Sequence, residues 1–500
     1  MRLWEAIGRV SPQSRRLWAL VIGLTALRLV AGGLIHLTED EAYYRLWSLS
    51  PQAGYYDHPP MIAWWIWIGR HLVGEHALGV RLLAILAAAV QTLLVYDGVR
   101  LVGQTERVAL RAALWFNATL LIAFGSILAI PDAPAGLFWT VAVWCVLKAL
   151  NARPALWWCA AGAAAGLACL SKYSALFLAP GILLWLLVDP AARRQLARPW
   201  PWLAIPIAAG LFAVNVAWNA GHDWQSFHKQ FGRVAAAGLS AKFTLELVVS
   251  QLVLLNPLIA MFCALGIRRA ALGLRQEGAT RLWAPYLAVS APFIAYLLIH
   301  SLHDRVQAHW PAPLYPGLAA AAAIAAEGVT AKGWMDGLRK AAAMLGLGAG
   351  ALALVYLALP IPSPLGRADP AHAVRGWSDF ASRLEALRRK SGAAWIGTVS
   401  YGEAAELASE PGLKAPVLQL TERDRYRFLR PVGDLRQPGL AIDLDRRLDA
   451  AALSTCFRQV RALGHLRRTD EKHGLYAVYS VADPIRIVDG GCSDTRNAGS

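Results

Sequence analysis

The sequence predicts a polytopic α-helical membrane protein that ends in a small soluble α/β or α+β domain. Three observations predict it. Of 500 residues, 56% are hydrophobic and only 16% are charged. Apolar runs near the roughly 20 residues that a helix needs to cross a bilayer recur through the first 360 positions. After "PIPSPLGRADP" the chain turns charged and mixed in pattern, and residues 361–500 read as a second domain. A helical bundle is expected for the first part, because lipid offers backbone N–H and C=O groups no partners and each spanning segment must satisfy its own.

In chain order the apolar segments fall at roughly 17–37, 77–97, 109–129, 134–150, 155–170, 174–188, 200–219, 243–267, 282–300, 311–328 and 341–359, eleven in all. No small-residue cleavage site follows the first, so it is read as a retained helix and not a signal peptide. The N-terminus and every second loop together hold nineteen Lys and Arg, whereas the opposite loops hold seven. The positive-inside rule puts the richer set in the cytoplasm. The N-terminus is then cytoplasmic. Residues 38–76, which carry short interfacial helices, and the domain at 361–500 face outward, into the periplasm of a bacterial inner membrane.

The net charge of +16 combines these cytoplasmic anchors with an excess in the tail. It points to anionic lipid surfaces and not to nucleic acid, since no helix-turn-helix, zinc-finger or RNA-binding signature accompanies it. In the tail, "WSDFASRLEALRRK" reads as a helix, "AAWIGTVS", "APVLQL" and "LAIDL" as short strands, and "HGLYAVYSVA" as an alternating strand. Cys456 and Cys492 sit in an oxidising compartment if this topology holds, and are expected to form a disulfide. Cys145, Cys159, Cys169 and Cys263 lie in apolar spans and read as inert core.

The candidate chemistry lies in the outward loops. In "HLTEDEAYYRLW", Thr38 and Glu41 have the spacing of a capping box, which accounts for Glu41 better than for Asp40. Asp40, at a helix start beside the membrane, is where a base can meet a lipid-held substrate. In "GYYDHPPMIAWWIWIGRHL", Tyr56, Asp57 and His58 precede a proline pair and a Trp-rich segment too short to span. An acid and an imidazole there can bind a divalent cation or a lipid phosphate. Asp132 occupies a proline turn in "AIPDAPAG", and Lys172 with Tyr173 lies in "CLSKYSALF", a lone outward lysine that marks a meeting with an anion. "HSLHDRVQAHWPAPLYP" adds His303, Arg305 and His309, whose spacing matches no tight metal signature. For each loop, solvated polar surface is the plain alternative.

Ionisable groups of both signs on one membrane face suit a phosphorylated lipid substrate. The chain has no Walker loop, Gly-rich dinucleotide fingerprint or metalloprotease repeat, so the substrate itself must supply the energy.

"TEDEAYYRLW", "YYDHPPMIAW", "IPDAPAGLFW", "SKYSALFLAPG" and "AHWPAPLYP" resemble, in this order over about residues 20–320, the bacterial branch of the protein O-mannosyltransferase and lipid A aminoarabinose transferase group. These are GT-C glycosyltransferases. The resemblance implies a GT-C-like bundle and an inverting transfer from a polyprenyl-phosphate sugar, at the outer face, to a hydroxyl of lipid A, another glycan or lipid, or a protein. It implies catalytic roles for Asp40, as the first-loop acid and general base, and for Asp132, as the second-loop acid. Lys172, His58 and Arg305 would bind the donor phosphate. Where the aminoarabinose transferases carry a Glu-Lys pair, this chain has Asp57 and His58. Asp57 is thus the candidate ligand of a divalent metal ion, and no organic cofactor is expected. Glu41, Tyr56, Tyr173 and His303 complete the candidate set. The rival reading is a transporter or lipid flippase, for which Arg28 and Arg81, in or near spans, would mark a path. No inverted repeat supports it.

Overall fold

The computed structural model describes residues 11–232, 239–273, 279–328, 333–361, 369–429, 434–469 and 474–485. Among them, six helices are long and apolar enough to cross a membrane: Pro12–Leu34, Ala77–Leu101, Asp132–Asn151, Pro199–Ala220, Arg281–Ser301 and Gly333–Ala358. Two bent pairs raise the number to eight if each is one span: Tyr173–Val188 with Pro190–Ala197, bent by 105°, and Ala241–Leu254 with Pro257–Gly273, bent by 108°. The other apolar segments fall on shorter helices: Glu106–Ala118 with Leu120–Gly125, Pro154–Cys169, and Tyr315–Glu327. The breaks have local causes. Thr119 has an extended ψ of 134° between two helices, and Asn256 takes a left-handed φ of 70° just before Pro257, a residue that cannot continue the preceding hydrogen-bond ladder.

The chain forms two compact units. One comprises the chain up to Gly32, Asp57–Trp65 and Arg81–Val355; the other comprises Gly33–Tyr56, Ile66–Val80 and the chain from Tyr356 onward. The second unit therefore includes, besides the tail, two stretches that follow and precede apolar spans.

In the first unit small residues let helices approach closely. A Cβ on Gly162 would lie 2.4 Å from the Ala204 carbonyl oxygen, and one on Gly166 would lie 2.8 Å from Leu211 Cβ. This four-residue spacing of glycines is the usual seam between apolar helices that gain nothing from water exclusion. Arg28 and Arg81, which the transporter reading would have used, are buried and tie helices together. Arg28 Nη2 donates to Asn117 Oδ1 at 2.9 Å, and Arg81 Nη1 donates to the Gly32 carbonyl at 3.1 Å.

The second unit is built on a five-stranded sheet of β1 (Trp395–Thr398), β2 (Val417–Gln419), β3 (Gly439–Leu444), β4 (Phe457–Arg467) and β5 (Leu475–Pro484), in the order β2-β1-β3-β5-β4. The first three are parallel, and β5 and β4 are antiparallel additions. Alternation along the strands builds two cores. Ile396, Leu440, Ile442 and Val478 pack with Trp377, Phe380 and Leu384 of the Trp377–Ser391 helix. Trp395, Leu418, Ala441, Phe457 and Val481 pack on the opposite face. The four expected strands and the expected helix are all present; β4 is an addition. It is an edge strand whose residues are mostly exposed, and a bulge falls between Ala462 and Gly464, where Gly464 takes a φ of +112°. Charge and bulges are how edges resist further pairing, and they also hide the strand's apolar alternation.

Cys456 is disulfide-bonded; Cys492, its expected partner, lies outside the described residues. Cys145, Cys159, Cys169 and Cys263 are free thiols.

Candidate active site

Four segments of the first unit converge around Asp132. The Asp132–Asn151 and Pro154–Cys169 helices form a hairpin with a two-residue connection, which returns the end of the second helix to the start of the first. Asp132 opens the first helix and Lys172 follows the last turn of the second, in extended backbone. The Lys172 ammonium donates to Asp132 Oδ1 at 2.7 Å and Oδ2 at 2.9 Å. The side chains are 11% and 7% exposed.

The third segment carries His58. The Met61 N–H donates to the Leu170 carbonyl at 3.0 Å, which pins the turn after Pro59 and Pro60 against the Lys172 loop. This brings His58 within electrostatic reach of Asp132. Asp57 is buried, and its carbonyl accepts from Gln230 Nε2 at 2.7 Å. The fourth segment carries His309, whose Nε2 lies 3.7 Å from Asp132 Oδ2. Gln251 holds that loop: its Nε2 donates to the Ala308 carbonyl at 2.9 Å while its Oε1 accepts from Tyr315 at 2.8 Å. Trp310 stacks beside the cluster, 6.0 Å from the Lys172 ammonium.

A buried ion pair is a poor stabilising device, since the desolvation of two charges offsets most of their attraction. In a membrane segment it marks function by default. The cluster also borders a cavity of about 340 Å³, lined by Asp132, His309 and Gln91 and otherwise mostly by apolar groups such as Ala84, Leu121, Ile122, Phe124 and Leu128. Tyr173 stands next to Lys172 but in a separate buried network, where its hydroxyl donates to Asn215 Oδ1 at 3.0 Å and bonds Ser226 Oγ. It joins the Pro199–Ala220 and Gln225–Phe231 helices.

Arg305, expected at the donor phosphate, and His303, a further candidate, make their described contacts elsewhere. Arg305 is 69% exposed and donates to Glu246 at 2.8 Å. The half-buried His303 ring bonds the Ile299 carbonyl. Among the described residues, no group of three or more His, Cys, Asp or Glu is placed to hold a metal ion. The described residues around Asp57 do not by themselves make a metal site.

Asp40, Glu41 and Tyr56 belong to the second unit. The capping box is present: Thr38 Oγ1 accepts from the Glu41 N–H at 3.4 Å, and Glu41 Oε2 accepts from the Thr38 N–H at 3.0 Å. Glu41 is buried by this role, whereas Asp40 is exposed. The Glu39–Trp47 helix packs on the Tyr401–Ser409 helix so closely that a Cβ on Gly402 would lie 2.4 Å from Glu39 Oε2. Tyr401 donates to Asp40 Oδ1 at 3.1 Å, His36 Nε2 meets Glu410 Oε1 at 2.6 Å, and Tyr43 donates to the Arg425 carbonyl at 3.0 Å. The Arg425 guanidinium covers the rings of Tyr401 and Tyr56, at 4.4 and 5.4 Å. His309 stood among the loop histidines, but the bracing by Gln251 and Gln230 had no signal in the sequence, because a single amide carries no spacing that names its partner.

Fold and site together describe a multi-pass membrane protein with a buried, charged centre beside a mostly apolar cavity. Residues 57–218 match the dolichyl-phosphate-mannose-protein mannosyltransferase family. The lipid A galacturonosyltransferase RgtD of Rhizobium johnstonii is 28% identical over 349 residues, 68% of this chain and 70% of the relative. The undecaprenyl phosphate-alpha-4-amino-4-deoxy-L-arabinose arabinosyl transferase of Pseudomonas paraeruginosa is 34% identical over 168 residues, 33% of this chain and 29% of its own. Among solved structures, apo ArnT from Cupriavidus metallidurans aligns with a TM-score of 0.65 at 14% identity, over 93% of this chain and 98% of that one. The same protein bound to undecaprenyl phosphate gives 0.63 at 15% identity, over 92% and 97%. The chain is similar in sequence to these membrane glycosyltransferases and shares the fold of ArnT.

Proposed function

We propose that this chain transfers a sugar from a polyprenyl-phosphate donor to an acceptor hydroxyl on lipid A, another glycan or lipid, or a protein, with inversion. The observation that carries it is the buried Lys172–Asp132 pair at the edge of a mostly apolar cavity of about 340 Å³. A polyprenyl phosphate has the same division, an apolar tail and one anionic group. The names of the relatives, with lipid A as a target and undecaprenyl phosphate as a carrier, support the reading.

In the reaction the bond between the anomeric carbon and the phosphate oxygen breaks as the acceptor oxygen attacks from the opposite face. Lys172 has three N–H donors, and with two directed at Asp132 the third serves a phosphate oxygen. Asp132 holds the ammonium in place. His58 and His309 add positive charge when protonated, and the combined field stabilises the departing phosphate. Asp40, exposed at its helix start, takes the acceptor proton. The excess of Lys and Arg in alternate loops supports a cytoplasmic N-terminus, eleven spans within residues 1–360, and residues 361–500 in the periplasm with the reaction on that side of the inner membrane.

The test is donor consumption by purified protein. A panel of radiolabelled polyprenyl-phosphate sugars, incubated with acceptor lipids, should include at least one that yields free polyprenyl phosphate and labelled acceptor. Movement of donor across a vesicle membrane with no member of the panel consumed would establish a flippase instead.

A further inference from the structure

The sheet of the second unit contains a reversal that the reaction above leaves unused. β1 lies between β2 and β3, so the chain leaves β1 for one side and later returns to its other side. The three strands run parallel. Connections that part in opposite directions open a crevice beyond the carboxyl ends of such strands, where α/β sheets bind their ligands. A cavity of about 820 Å³ occupies this position, lined by Ser400 and Tyr401 after β1, Thr421 and Glu422 after β2, and Arg446 and Arg447 after β3. Its size is that of a small-molecule site.

The floor is braced from inside. Asp443 is fully buried, and its Oδ2 accepts the N–H groups of Val399 and Ser400 at 3.1 and 2.8 Å, which binds the end of β1 to the end of β3. Arg447 leans on this carboxylate and on Glu403, at 3.7 Å from each, and keeps 38% of its side chain exposed. Arg446 is exposed and among the described residues has no ion-pair partner. Asp449 also lines the crevice, but its carboxylate caps the next helix by accepting the Ala452 N–H at 2.7 Å, and the two guanidinium groups make a receptor for an anion. The hydroxyls of Ser400, Tyr401 and Thr421 and the Glu422 carboxylate supply the donors and acceptors that sugar hydroxyls need. Tyr401 belongs to two structures at once, since it lines the crevice and donates to Asp40.

We propose that this crevice binds the anionic sugar head group of the acceptor, with Tyr401 as the wall it shares with Asp40; the acceptor role rests on the transferase reading. The probe is glucose 1-phosphate, with glucose as its neutral counterpart, titrated calorimetrically into the purified full-length protein. Glucose 1-phosphate should bind at least 10-fold tighter than glucose. Arg446→Gln, at an exposed position without an ion pair, should keep its melting temperature and weaken glucose 1-phosphate binding at least 10-fold, while Arg446→Lys recovers part of the loss. Equal affinity for the two sugars, or an Arg446→Gln protein that binds as the parent does, overturns the proposal. Donor consumption by the parent is measured separately. A parent that consumes donor but shows either of those two results overturns the crevice alone. A parent that binds glucose 1-phosphate through Arg446 but consumes no donor overturns the acceptor role and the transferase reading, and leaves an anionic-sugar site.

Discussion

The Lys172 ammonium donates to both carboxylate oxygens of Asp132, at 2.7 and 2.9 Å, between side chains that are 11% and 7% exposed. Removing one partner strands the other charge. Lys172→Ala is therefore expected to destabilise the protein by about 3–5 kcal/mol and to abolish donor turnover. Lys172→Met combined with Asp132→Leu should recover most of the stability and none of the activity. Thermal unfolding in detergent, measured beside polyprenyl-phosphate release, separates the two effects. An active Lys172→Ala enzyme would reduce the pair to a structural tie.

Asp40 differs from its neighbour Glu41 in every respect that matters for a base. It is exposed at the helix start, whereas Glu41 is buried in its capping box. Asp40→Asn retains an oxygen for the Tyr401 bond and loses only proton acceptance. Turnover should fall on the order of 10²–10⁴-fold with donor affinity little changed. Glu41→Ala should instead cost about 1 kcal/mol of stability through the lost cap. Single-turnover rates and equilibrium donor binding on the same preparations read out both, and parental turnover in Asp40→Asn would end the base assignment.

Asp57 and His58 test the mode of phosphate recognition. With no three-residue ligand set assembled around Asp57 among the described residues, direct action through His58 is expected. His58→Ala and Asp57→Ala should each lower activity, His58→Ala through the lost contact to the phosphate. EDTA should leave the parent's rate unchanged. A loss restored by added Mg²⁺ or Mn²⁺ would show a cation completed by the donor phosphate.

Glu403 makes the second unit sensitive to pH. Burial, reinforced by the carboxylates of Glu39 and Asp443 and opposed by Arg468 and the Tyr476 hydroxyl, pushes its pKa up to about 7 from an ordinary value of 4.5. The folded state then holds a proton that the unfolded chain has already lost. Stability is fully present below about pH 4.5, falls as pH rises toward 7 and levels off above it, with a slope of roughly 1.4 kcal/mol for each pH step of one between those two values. Glu403→Gln should flatten this slope and keep the bond to Tyr476. Hydrogen exchange over Tyr401–Ser409 at pH 5 and 7, corrected for intrinsic rates, measures it, and an identical slope in the variant would refute it.

Composition alone was enough to identify the membrane class, and a capping box, four strands and the candidate residues Asp132, Lys172 and His58 were legible because each depends on local spacing or on a charge in an apolar setting. Pairing was not legible. Lys172 meets Asp132 because a helical hairpin closes on itself, and residues 40 apart in sequence carry no periodic trace of that closure. Arg305 and His303 had the stronger apparent claim on sequence grounds and His309 was left outside the candidate set, yet Arg305 turns to Glu246 while His309 faces Asp132. The docking of the Glu39–Trp47 helix on Tyr401–Ser409 spans some 360 residues. Buried surface and the need to partner charges away from water select such contacts, and these forces act only once the chain has brought distant segments together.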